Sequence, residues 1–274
     1  MKKAAFGGAL LAISLLGCGS ESAPSAPTPP PTPSATAAPP TPSAEAVPSI
    51  PPAPSDEICA EVIVVQWQGA AGATEAITRT QAEARVRAEE LLASIESGAR
   101  DFATVAREDS DARSSGARGG LLGTYAREDW PPQHEAIRDR AFALQIDQLS
   151  EVTEAPYGWV VIHRCPAEFR YTRHILVRFA GARNAGPEIT RSHDEAQALA
   201  SQIRTRLVAP GADFLAIARE VSEDTSRERG GDMGWLGRGR LSAAYEQAAF
   251  TMDVGAISEP VETEFGFHLI QRVQ

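Results

Sequence analysis

Ile189-Thr190-Arg191-Ser192 has a counterpart in Ile77-Thr78-Arg79-Thr80, 112 positions earlier. Each phrase ends on a hydroxyl residue followed three positions later by an acid, Ser192 with Glu195 and Thr80 with Glu83. That spacing predicts a capping box, which satisfies two orphan N–H groups at a helix start. Behind Ser192, Ala196, Leu199, Ala200, Ile203 and Leu207 recur at helical spacing and give the helix one buried stripe. Pro210-Gly211 ends it, and Asp213 is placed to cap a shorter helix carrying Phe214, Ile217 and Ala218. Working outward, the same offset carries Gly69-Ala70 onto Gly181-Ala182, Asp101-Phe102 onto Asp213-Phe214 and Ala106-Arg107-Glu108 onto Ala218-Arg219-Glu220. It falls to 111 at Gly119-Gly120 and Gly230-Gly231, and to 108 at Ala141-Phe142 and Ala249-Phe250, where it stays through Tyr157-Gly158 and Phe265-Gly266. The folded part is therefore a repeat of two units, 58–166 and 170–274, each of ordinary domain size.

The second unit opens on Tyr171-Thr172-Arg173-His174-Ile175-Leu176-Val177, rich in aromatic and β-branched residues and read as a strand. Two helices, a Gly-rich turn, a third helix near 241–250 and two terminal strands complete it. One strand, then helices, then strands predicts an α+β fold in which a small antiparallel sheet is covered by helices, twice over.

The N-terminus reads as an address. Lys2 and Lys3 precede an apolar run at 4–16, a charged region and a short hydrophobic core of a leader. Leu15-Leu16-Gly17-Cys18 resembles a bacterial lipobox, which implies removal of 1–18 as a signal peptide, lipidation of Cys18 and anchoring rather than spanning. Gly19 after the cysteine favours the outer membrane, facing the periplasm. Thirteen of the 20 prolines fall between Pro24 and Pro54, so residues 19–57 are expected to be a disordered, polyproline-like spacer. A net charge of −10 argues against nucleic acid as a partner. Lys2 and Lys3 are the only lysines, which leaves the folded part without a lysine nucleophile or phosphate-binding lysine.

Five motifs then carry a family resemblance. His174-Ile175-Leu176-Val177, Gly230-Gly231-Asp232-Met233-Gly234-Trp235, Ala248-Ala249-Phe250, Ile257-Ser258-Glu259-Pro260-Val261 and Phe265-Gly266-Phe267-His268-Leu269-Ile270 occur in order across 172–274. They resemble the parvulin-type peptidyl-prolyl cis-trans isomerases, and the tandem exported arrangement is similar to isomerase-chaperones of the SurA and PrsA kind. The resemblance implies rotation of X–Pro bonds in unfolded or nascent exported polypeptides, with no cofactor and no metal; its rival is a non-catalytic holdase for extended chains. It places Met233, Leu241, Tyr245 and Phe265 in a proline socket. It places His174, Asp224, Thr263 and His268 in a polar cluster, with both imidazoles on adjacent central strands, hydrogen-bonded and held by Thr263. Arg178 and Arg183 stand where phosphate-directed members carry basic residues, but Asn184 departs from that pattern and the arginines read as solvated. His134, His163 and His193 are expected to have no chemical role.

Carried across the repeat, the same positions hold Val62 for His174, Val160 for His268, Ala155 for Thr263 and Ile137 for Tyr245. Asp224 falls opposite Ala112, with Asp111 as an alternative, and the first copy inserts three residues containing Trp130-Pro131-Pro132. The first unit is thus expected to keep the fold and lack the activity. If Val62 and Val160 are neighbours, paired positions sum to 222, against 224 for Cys59 and Cys165, and both cysteines project from the opposite sheet face. A Cys59–Cys165 disulfide, or two free buried thiols, satisfies that register.

Overall fold

A computed structural model describes residues 50–274. The leader, the lipobox at Cys18 and most of the proline-rich spacer lie outside the described residues. The first repeat runs β1 (Ile58–Val65), α1 (Gln81–Glu96), α2 (Phe102–Asp109), the single turn α3 (Arg113–Gly116) and β2 (Leu121–Tyr125). A 3-10 turn (Pro132–His134) leads into α4 (Glu135–Ala143), followed by β3 (Thr153–Ala155) and β4 (Gly158–His163). The second runs β5 (Phe169–Val177), α5 (His193–Leu207), α6 (Phe214–Val221), a 3-10 turn (Thr225–Arg229), β6 (Asp232–Gly237), α7 (Ala243–Thr251), β7 (Val261–Thr263) and β8 (Gly266–Arg272). The sheets have orders β2-β1-β4-β3 and β6-β5-β8-β7 and are antiparallel throughout.

Both capping boxes form as the spacing predicts, Thr80 with Glu83 and Ser192 with Glu195. Asp101 and Asp213 cap α2 and α6 through their carboxylates. The central strands are covered on both faces, which is why β1 and β5 read as nearly unbroken apolar runs. On one face, Ile175, Val177, Phe267 and Leu269 pack against α5 and α6. On the other, Ile270 meets Tyr245, Ala249 and Phe250 of α7. The first repeat has the same two layers: Ile63, Val65 and Val161 face α1 and α2, and Val62, Val64, Val160 and Ile162 face α4.

Two readings need correction. The Gly-rich stretch is not only a turn, because Asp232–Gly237 continues as edge strand β6, so each sheet has four strands rather than three. The glycines are required where β6 begins: His174 N–H donates to Gly231 O at 2.8 Å, and a Cβ on Gly231 would meet His174 O at 2.1 Å. Val62 N–H donates to Gly120 O in the same way, so this repeated pair serves the backbone and not the chemistry. The register also differs. Val62 pairs with Ile162 and Val64 with Val160, so paired positions sum to 224 and Val62 and Val160 are diagonal neighbours. Cys59 and Cys165 satisfy that sum, and the structure joins them by a disulfide with 5.0 Å between Cα atoms. Finally, the end of the spacer lies against the body, where Trp235 Nε1–H donates to Pro51 O at 2.8 Å.

Candidate functional site

The site lies between the second sheet and α7. β5 carries His174 and β8 carries His268, and pairing His174 with Ile270 and Leu176 with His268 sets the two rings diagonally on one face. Their Nδ1 atoms are 3.1 Å apart, and the two residues are 3% and 6% exposed. Thr263 Oγ1, at the end of β7, lies 2.8 Å from His268 Nε2 and accepts from Phe265 N–H at 3.2 Å. Asp224 caps the turn after α6 and brings Oδ1 within 3.1 Å of His174 Nε2, a close contact rather than an aligned hydrogen bond.

The contacts allow a continuous proton chain, whose direction the histidine tautomers set. In one such arrangement the Thr263 hydroxyl donates to His268 Nε2, His268 Nδ1–H donates to His174 Nδ1, and His174 keeps its Nε2–H toward the Asp224 carboxylate; in the other, Thr263 donates to Gly266 O and accepts from His268. Electrostatics agree. Burial pushes the His268 imidazole down to about 3, so it is neutral at pH 7. The neighbouring His174 ring, with the Ser226 amide donating at 2.8 Å, holds the Asp224 carboxyl well below the usual carboxylate range. A fixed negative charge therefore sits at the end of the imidazole pair, whose inner ring, His268, is neutral.

Above it opens a cavity of about 280 Å³ lined by His174, Asp224, Met233, Leu241, Phe265 and His268, among others. Met233, Leu241 and Phe265 remain partly exposed along it. Tyr245 is different: it is buried beneath, its ring edge-on to His174 at 5.8 Å and to His268 at 5.4 Å. Burial raises its hydroxyl above the ordinary tyrosine value, and Thr172 Oγ1 lies 3.1 Å from it. The structure thus brings together all eight residues singled out for the polar cluster and the socket. Sequence reasoning missed Thr172, although a signal existed: Thr172 and Tyr245 stand where the first repeat has Ala60 and Ile137, a polar pair gained together. It also missed Ser226 and the lining residues Leu176, Thr225 and Ser242, and it read Arg178 as solvated where Arg178 and Asn184 line the cavity. Among the described residues, no group of three or more His, Cys, Asp and Glu is arranged to hold a metal ion.

The rotamase model, described as a PPIC-type PPIase domain, matches the chain twice, over residues 68–165 and 174–274. The chain belongs to the PPIC-type rotamase family. It is similar to Chaperone SurA of Methylobacillus flagellatus, 36% identical over 196 residues that cover 68% of this chain and 42% of that protein. Chaperone SurA of Ralstonia nicotianae is 36% identical over 211 residues, 73% of this chain and 40% of that protein. The chain therefore spans less than half the length of these curated relatives. Among solved structures, peptidyl-prolyl isomerase ESS1 from Candida albicans aligns at 27% identity with a TM-score of 0.37, covering 39% of this chain and 63% of that one.

The first rotamase domain keeps the frame without the polar cluster of the second. Ala112 occupies the cap position of Asp224 with no side-chain bond, and Asp111 corresponds to Glu223 instead. Asp111 accepts from Gln66 N–H and Arg79 as Glu223 accepts from Arg178 N–H and Arg191. Val62, Val160, Ala155 and Ile137 form one apolar cluster with the inserted Trp130. Trp130 Nε1–H donates to His134 O, and His134 Nδ1 lies 3.2 Å from Tyr157 OH, which leaves that imidazole a packing role.

Proposed function

We propose that the second domain catalyses cis-trans isomerisation of X–Pro bonds and that the first is non-catalytic. Amide resonance sets the uncatalysed barrier at ~18–20 kcal/mol, and exchange takes tens to hundreds of seconds. A site lowers that barrier by favouring the twisted amide over both planar forms, without a nucleophile or cofactor. The apolar walls Met233, Leu241 and Phe265 accept the pyrrolidine ring, and the buried Tyr245 steadies both imidazoles beneath it. The ionised Asp224 acts on the imide oxygen, where a negative charge disfavours the O⁻/N⁺ resonance form that stiffens the C–N bond. The observation that carries this reading is the Thr263–His268–His174–Asp224 chain under an open cavity. The corresponding positions of the first domain form an apolar cluster with Trp130.

The clients on this reading are unfolded or nascent exported polypeptides, and the protein works in the cell envelope, held by a lipid on Cys18 in the outer membrane. Support comes from the leader-like residues 1–18 and from similarity to proteins named Chaperone SurA. The test is a protease-coupled proline-peptide assay on the folded chain. Wild type accelerates exchange, and Asp224→Ala lowers turnover on the order of 10- to 100-fold with an unchanged circular dichroism spectrum. No acceleration by the folded wild-type chain removes the isomerase reading and leaves the holdase, which a peptide-binding assay then measures.

A further inference from the structure

We infer that the first domain is a positioning element for the proline cavity of the second, acting through residues 238–242. This rests on the isomerase reading above. Those five residues join β6 to α7. Leu241 forms a cavity wall, and Ser242 stands at the N-cap position of the helix that delivers Tyr245. The same residues are gripped by the other domain. Thr124 N–H of β2 donates to Arg238 O at 2.8 Å, joining the edge strands of the two sheets. At the contact the backbones are too close for side chains: a Cβ on Gly239, whose φ is +86°, would lie 2.4 Å from Gly123 Cα. One on Gly237 would lie 2.5 Å from Thr124 Cβ.

Arg240 completes the grip. Its guanidinium lies 5.5 Å from the Tyr125 ring centroid, 3.5 Å from Asp129 and 3.8 Å from Glu57, all outside the second domain. The next residue, Leu241, faces the cavity and fastens its N–H to Glu246 of α7 at 2.9 Å. Arg238 ties the segment back to α7 by lying 4.1 Å over the Phe250 ring. A cavity wall is therefore suspended between a β-strand of one domain and a helix of the other. Such walls must be set to within a fraction of an ångström to hold a reacting group in register.

The experiment uses the full chain with methyl-labelled Leu and Met. Arg240→Ala is expected to shift the Leu241 methyl resonances and to lower kcat/KM by about tenfold, mainly through KM, at unchanged Tm. Arg240→Lys recovers part of the loss, because charge returns without the planar face. Asp129→Asn, an exposed change in the other domain with little bearing on folding, is expected to give a smaller loss that is not additive with Arg240→Ala. Unmoved Leu241 methyls, or moved methyls with wild-type kinetics, overturn the inference. If the wild-type chain has no turnover, the isomerase reading falls by itself. The positioning claim then stands or falls on whether the methyl shifts accompany a weaker Kd for a proline peptide.

Discussion

His268 shows how one side chain makes the molecule sensitive to acid. Its ordinary value of 6.5 is pushed down to about 3 by burial. The unfolded chain takes up that proton near pH 6.5, while the folded chain refuses it, so the contribution to stability is intact above 6.5 and declines as pH falls. At pH 5 the loss is about 2 kcal/mol. Asp224 acts in the same direction at lower pH: its carboxyl is held below 3.8, so its contribution is present above that value and vanishes as pH falls through its folded one. Urea titrations at pH 7.5, 6 and 5, followed through Trp235 fluorescence, should show this decline. A His174→Val/His268→Val double variant should flatten it between 6.5 and 5. The reverse change tests the other domain. Val62→His places a lone imidazole in a dry cluster without the partners of His174, and should lower that domain's stability by about 1–3 kcal/mol in denaturant melts.

Buried serines do the work of missing strand length. Ser110 accepts from Val64 N–H and Ser222 from Leu176 N–H, while Ser150 and Ser258 accept from Ile162 and Ile270. Each stands where a short element leaves a central strand without a backbone partner. The two-glycine approach to β6 is stricter still. Gly231→Ala combines a left-handed φ of +80° with a backbone clash, whereas Gly211→Ala, at +77°, meets open space. Backbone strain of about 1–3 kcal/mol applies to both. Only Gly231→Ala must also push β6 away from β5, so it should melt at clearly lower denaturant and lose turnover, while Gly211→Ala keeps its rate. A Gly231→Ala variant with wild-type midpoint and rate would refute this account of the repeat's glycines.

Across the whole molecule, the disulfide closes a loop of 106 positions around the first domain. Chain entropy puts its contribution at roughly 4–5 kcal/mol. Reduction should therefore lower the denaturation midpoint of the first domain, read from Trp130, Trp67 and Trp159, far more than that of the second. Equal shifts in both would show that the domains unfold as one unit. The asymmetry also fits their chemistry: one domain holds a buried polar network over an open cavity, while the other closes its core with Trp130 and a covalent staple.

Much of this was legible in the chain because it is written twice. Capping boxes, helix stops and the α+β order follow from local rules, and comparing Val62 with His174, or Ala155 with Thr263, separates what the fold needs from what the chemistry adds. The β6 strand was not legible, since Gly230-Gly231 signals a turn and only the approach of a neighbouring backbone shows that a strand begins there. Nor was Thr172, whose meaning depends on Tyr245 arriving from a helix 73 positions away.

The sequence by itself determined the repeat, the three main helices of each unit and the absence of imidazoles from the first copy's site positions, because periodicity and residue type act over a few neighbours. Only the tertiary structure decided that Cys59 lies opposite Cys165, that Asp111 answers Glu223 rather than Asp224, and that the wall at Leu241 is held from another domain. Register and domain contact depend on where distant strands meet, and that distance is set by the packing of the whole chain.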